Sequence, residues 1–129
     1  MQVKRAHHVS FTVADLERAR GFYEKLLGLA PIERPDFGFP GAWYQAGDVQ
    51  VHLIERPADP DADAAPGPNP LENHVAFEID DYAAVHADLL ARGLPVAGLG
   101  PEMGQMFLRD PDRNVIELID PKGRPGRPR

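Results

Sequence analysis

The sequence predicts an α+β fold built from two tandem copies of one strand-helix-strand module. Val51-His52-Leu53-Ile54-Glu55 returns as Ile116-Glu117-Leu118-Ile119-Asp120, and His8-Val9-Ser10-Phe11-Thr12-Val13 returns as His74-Val75-Ala76-Phe77-Glu78-Ile79. From 52 to 117 is 65 residues and from 8 to 74 is 66, so both repeats keep nearly one spacing, as a duplicated unit requires. In each copy a segment of period two then runs into a segment of period 3.6, the order strand then helix.

In the first copy, Val9, Phe11 and Val13 take one side of a strand while His8, Ser10 and Thr12 take the other. Asp15 is placed to cap a helix whose apolar stripe is Leu16, Ala19, Phe22 or Tyr23, Leu26 and Leu27, with Gly28 as its stop. A turn over Gly38 to Gly41, a strand over Ala42 to Gln45, a tight turn at Gly47-Asp48 and a strand over Val49 to Glu55 follow. The second copy repeats this order. Asp80 or Asp81 caps a helix with the stripe Tyr82, Val85, Leu89 and Leu90, ended by Gly93. Val96 to Pro101 leads to a strand over Gln105 to Arg109, the turn Asp110 to Asn114, and a strand over Val115 to Ile119.

These elements divide a single domain of residues 1–129 into a first module at 4–56 and a second at 72–120. Residues 57–71, with five prolines and three aspartates, read as an exposed linker that cannot offset the entropy of burial. Residues 121–129 read as a flexible basic tail.

Composition narrows the function. Hydrophobic content of 43% and charged content of 26% suit a globular protein, and no apolar run approaches the roughly 18 residues of a membrane span. The start lacks the apolar core of a signal peptide, so a cytoplasmic protein is expected. Four of the fourteen Lys and Arg residues lie in the tail, leaving ten against twenty acidic groups before it. That acidic body argues against a nucleic-acid partner. Cysteine is absent, so any metal must be held by nitrogen and oxygen.

The repeat puts His8 in register with His74, and His52 with Glu117. On the last strands Val51 and Leu53 share one face, as do Ile116 and Leu118, which turns His52 and Glu117 to the other face. An unpaired ionisable group on a core-like strand is costly, and a divalent cation would satisfy all four at once. His7, one residue out of phase, is expected to face away from His8, and His86 to lie on the surface of the second helix.

With these residues in place, the chain resembles the vicinal oxygen chelate superfamily, the fold of glyoxalase I, bleomycin-resistance proteins and extradiol dioxygenases. The matching residues are His8 to Val13 with Asp15-Leu16, Phe22-Tyr23 through Leu27-Gly28, His74 to Phe77, and Asp110-Pro111-Asp112 running into Ile116-Glu117-Leu118. The resemblance covers residues 4–120 and implies paired βαβββ modules whose mixed sheets curl into a cup around a metal. It implies His8, His52, His74 and Glu117 as ligands of one divalent ion, Zn, Ni, Co, Mn or Fe, and a small-molecule substrate that chelates it. It also implies a homodimer in which modules of two chains share the metal sites. The family commonly has glycine where Arg113 stands, so a turn of different type is anticipated there. No tight Lys and Arg cluster marks the ligand-bearing faces, and Arg34, Arg56 and Arg109 are the nearby cations.

Phe37, Phe39, Trp43 and Met106 are the expected substrate contacts, in the loops and strands before the ligand-bearing strands. The function implied is a metal-dependent enzyme acting on a small oxygenated metabolite, with lyase, isomerase or epimerase chemistry favoured. Glu117, or Glu78 on the ligand-bearing face of its strand, is the expected proton acceptor. The alternatives are a ring-cleaving dioxygenase and a drug- or toxin-binding resistance protein that does without metal.

Overall fold

The computed structural model describes residues 2, 4–57 and 73–123. The chain divides into two compact units, Met1–Ala62 and Asp63–Arg129. The expected linker lies outside the described residues from residue 58, and the expected tail does so beyond Gly123; Pro121–Gly123 itself forms a 3₁₀ turn.

The first unit runs β1 (His8–Val13), helix α1 (Leu16–Arg20) continuing into a π-helical segment (Gly21–Leu26), β2 (Ala30–Ile32), β3 (Gly41–Ala46) and β4 (Val49–Glu55). Its sheet has the order β1-β4-β3-β2, with β1 parallel to β4 and the other pairs antiparallel. The second unit runs β5 (His74–Glu78), α2 (Tyr82–Ala91), β6 (Ala97–Gly98), β7 (Gln105–Arg109) and β8 (Val115–Ile119). Its order is β5-β8-β7-β6, with the same parallel first pair. Each unit is thus a βαβββ module, and the α+β class read from the sequence holds. No helix among the described residues is long and apolar enough to cross a membrane.

Helix starts are fixed from two directions. Asp15 is extended and accepts from the Arg18 N–H at 3.1 Å, while the Glu55 carboxylate at the end of β4 accepts from the Leu16 N–H at 2.8 Å. In the second unit Asp81 accepts from the Ala84 N–H at 3.1 Å, and Asp120, just past β8, accepts from the Tyr82 N–H at 3.2 Å. Two otherwise orphaned donors are satisfied at each start, and an acidic side chain meets the positive end of each helix. Glu55 and Asp120 are the last residues of the repeated pentapeptide, so the repeat encodes the tie between the final strand and the helix. Asp81 makes its own cap in a left-handed conformation, φ 58°.

The first helix departs from the expected single 3.6 period. Leu27 N–H bonds to Phe22 O at 2.9 Å, a five-residue step, and both Phe22 and Tyr23 are buried. The wider turn inserts a phase shift, so two consecutive aromatics reach the core where an α-helix would offer one. Tyr23 stacks near Phe11 and Tyr44, and Tyr44 donates its hydroxyl to Glu24 at 2.7 Å. Burial, then the bond to Glu24 and the charge of that carboxylate, push the Tyr44 phenol well above its usual range. Val13, Ala19, Val51 and Leu53 complete this core, and Tyr82, Leu89, Met106, Leu108, Ile116 and Leu118 form that of the second unit. Both helices stop at glycines with positive φ, Gly28 and Gly93, as the sequence predicts.

Arg113 has φ 71° and so takes the left-handed conformation a glycine would adopt at less cost. Asp110 holds that turn: one carboxylate oxygen accepts from the Asp112 and Asn114 N–H groups at 2.9 and 2.8 Å, and the other accepts from the Asn114 amide at 2.8 Å. The turn therefore keeps its left-handed position with an arginine in it.

Candidate functional site

Strand register decides what meets what. In the first unit β4 places His52 opposite Ser10 of β1 and opposite Trp43 of β3. His8 is opposite Gln50, two residues before His52, so it approaches His52 on the diagonal across one face. The rings of His8 and His52 stack at 4.2 Å and 14°, and His52 stacks on Trp43 at 4.1 Å and 5°. His52 Nε2 lies 2.9 Å from Gln50 Oε1. His52 is only 8% exposed, and that burial, followed by the charges of His8, His7 and Arg34, lowers its pKa. A neutral imidazole keeps the lone pair that a ligand must donate.

The second unit repeats the register. Glu117 of β8 lies opposite Ala76 of β5 and Phe107 of β7, and His74 is opposite Val115, again two residues earlier. His74 Nε2 stands 3.1 Å from Glu117 Oε1, and Gln105 Nε2 donates to Glu117 Oε2 at 3.2 Å. Phe107 meets His74 edge-on at 5.5 Å. Glu117 is 5% exposed, so a carboxylate is held on a buried strand by two side-chain partners. Both units therefore present a pair of potential donor side chains, an aromatic ring from the neighbouring antiparallel strand and a glutamine that orients the buried member of the pair.

Each unit brings together one of the predicted pairs, His8 with His52 and His74 with Glu117. Among the described residues no group of three or more His, Asp or Glu side chains is arranged to hold a metal ion. Glu78 is exposed and opposite Ile119. Phe37 and Phe39 are exposed in the loop before β3; they stack at 5.9 Å, and Phe37 lies 6.0 Å from Trp43. These three aromatics continue the row begun by His8 and His52.

Three side chains stand elsewhere than the sequence predicts. Met106 is fully buried opposite Leu118, on the core side of β7. Alternation gives the Glu117 side to Phe107, one residue on. His7 does not turn away from His8: it precedes β1, outside the alternation, and its Nδ1 lies 2.9 Å from that of His8. His86 is half-buried, stacked on Tyr82 at 5.5 Å, because α2 packs that face towards Gly98. The glutamines were missed by the sequence reading, although Gln50 stands two residues before His52 on the same face of one strand. Gln105 gave no such signal, since it reaches Glu117 from the adjacent strand.

The family model of the glyoxalase/bleomycin resistance protein/dioxygenase superfamily matches residues 5–118. A protein of Arabidopsis thaliana named Glyoxylase I 4 is 30% identical over 120 residues, covering 88% of this chain and 69% of its own length. A glyoxalase family protein of Bacillus anthracis superposes with a TM-score of 0.70 at 21% identity, covering 93% of this chain and 97% of that one. TnmS3, an antibiotic binding protein from Streptomyces sp. CB03234, superposes with a TM-score of 0.68 at 25% identity, covering 93% and 98%. With two βαβββ units in equivalent register and a family match spanning nearly its whole length, the chain belongs to the glyoxalase/bleomycin resistance protein/dioxygenase superfamily.

Proposed function

We propose that this protein is a divalent-metal-dependent enzyme of the vicinal oxygen chelate type, acting on a small oxygenated metabolite through a site with His8, His52, His74 and Glu117 as ligands. The observation that carries this reading is the equivalence of the two pairs: each unit spends the same two register positions on a nitrogen or carboxylate donor. Three imidazoles and one carboxylate, with no thiolate, fit Zn, Ni, Co, Mn or Fe in the divalent state. When bound, the ion would supply Lewis-acid stabilisation of negative charge developing on a substrate oxygen.

The chain's own residues prepare that chemistry. The Gln105 amide fixes one oxygen of Glu117 and leaves the other towards His74, which orients the carboxylate to take up a proton from substrate. Glu78, exposed one strand away, is the second candidate for that role. Trp43, Phe37 and Phe39 offer planar walls against which a substrate can be ordered and water excluded. A fourth protein ligand crowds the facial three-ligand arrangement of a ring-cleaving dioxygenase, which favours lyase, isomerase or epimerase chemistry. We also read the protein as a homodimer that shares metal sites between chains, the arrangement that the family resemblance implies.

A metal-free binding protein is the second reading, favoured by the exposed aromatics Phe37 and Phe39 and by the likeness to an antibiotic binding protein. Metal analysis of the protein as isolated separates the two. We expect one divalent ion per chain, retained by the wild type and lost at least tenfold more readily from His8→Ala, His74→Ala and Glu117→Gln variants. Full retention by these folded variants would remove the site assignment, and metal-free wild type that still binds aromatic compounds would favour the second reading.

A further inference from the structure

Among the described residues Arg34 is a cation without a counter-ion. It lies in the loop between β2 and β3, half-buried, with its guanidinium carbon 5.1 Å from the centroid of Phe37 and 5.0 Å from that of Phe39. It packs so closely on the backbone of Gly41 that a Cβ there would stand 2.8 Å from the guanidinium, and 2.5 Å from the Leu53 carbonyl oxygen. Glycine at 41 therefore leaves room for it. The Arg34 Nε is buried with no hydrogen-bond partner, and among the described residues the guanidinium has no ion pair.

A buried N–H without an acceptor is costly, and two aromatic faces leave the charge without a counter-ion, so a group held this way is suited to a ligand that completes it. The two carboxylates that share the surroundings of Arg34 each have a partner of their own. Glu24 accepts from Tyr44 and lies 3.9 Å from Arg20, while Asp36 accepts from the Gly38 N–H at 2.9 Å. Arg20, Glu24, Arg34, Asp36, Gly41 and Trp43 are among the residues that line an open pocket of about 360 Å³, within the small end of ligand pockets. Trp43 carries the pocket wall to His52, on which it stacks.

We propose that Arg34 and Trp43 form a subsite for the carboxylate of a small aromatic acid. The planar fork of the guanidinium matches a carboxylate with two parallel hydrogen bonds, and the indole gives the ring a stacking partner. That such an acid is the substrate rests on the metal-enzyme reading; that it binds here does not.

Trp43 is the only tryptophan in the chain, so intrinsic fluorescence reports on this pocket. The full-length protein as isolated is titrated with phenylacetate and with phenylacetamide, each with and without a metal chelator, and the titrations are repeated on Arg34→Gln and Arg34→Lys. We expect saturable binding of the acid, at least tenfold weaker binding of the amide, a loss of at least tenfold for the acid in Arg34→Gln with the amide unchanged, an intermediate value in Arg34→Lys, and no effect of the chelator. Absence of saturable binding of the acid, equal binding of acid and amide, or undiminished acid binding in Arg34→Gln overturns the subsite. Should Arg34→Gln not fold, undiminished acid binding in Arg34→Lys overturns it, since an ammonium cannot reproduce the fork. Acid binding abolished by chelator but kept in Arg34→Gln overturns it while supporting the metal reading, because the carboxylate then sits on the ion.

Discussion

At the scale of single residues, buried polar groups carry the information. His52 and Glu117 are each tied by a glutamine, and Tyr44 gives its hydroxyl to Glu24 behind the sheet. The Tyr44 phenol is held protonated above its usual range, and the sign of its effect follows. A group whose folded pKa exceeds its unfolded value contributes stability fully below the unfolded pKa, about 10 for tyrosine, and loses it as pH rises beyond. We expect Tyr44→Phe to cost about 1.5 kcal/mol near neutral pH, the scale of a hydrogen bond to a charged acceptor. The gap between variant and wild type should narrow above about pH 10. Urea denaturation of both proteins at pH 7 and pH 11 measures this, and a gap that widens with pH would contradict it.

Secondary-structure elements are joined by the acids at the ends of β4 and β8. Glu55 offers one carboxylate oxygen to its helix; Asp120, buried, serves the Tyr82 N–H with one oxygen and the Lys122 N–H at 3.1 Å with the other. Losing such a cap costs about 1–2 kcal/mol, and a buried acceptor with two donors stands at the upper end. Asp120→Ala should therefore lower stability more than Glu55→Ala, with Asp120→Asn recovering part of the loss, as read from the midpoints of thermal unfolding. Equal midpoints for the two alanine variants would show that the second bond of Asp120 contributes nothing. These ties were hidden in the sequence although both acids sit inside the repeat. A short acidic residue after a strand reads as solvated until the parallel pairing of first and last strand brings it to the helix start.

For the whole molecule, the two-module plan, the strand phases, both helix stops and the order of the elements apart from the short β2 were legible, because period and turn chemistry are local. The meeting of the predicted pairs was legible for the same reason: His8 beside His52 and His74 beside Glu117 follow from phase plus register. What depends on packing between elements was not. The π-helical segment, His7 beside His8, and Phe107 instead of Met106 on the Glu117 side all turn on a shift of one residue that periodicity alone leaves open. The Arg34 clamp needed Gly41 and two loop aromatics brought together. If metal sites are shared between chains, sedimentation should give a dimer that carries two ions and falls towards monomer as the metal is stripped. A monomer with full occupancy would count against sharing.

His52 and Glu117 alternate with core-bearing side chains along β4 and β8, while the residue that ties each strand to its helix lies three places further on. Substitution at either position thus leaves the flanking apolar stripe and the helix tie in place. The duplicated halves already display this independence, since equivalent positions hold histidine in one and glutamate in the other on the same scaffold. One scaffold thus carries different donor side chains at the same position without a change of strand register.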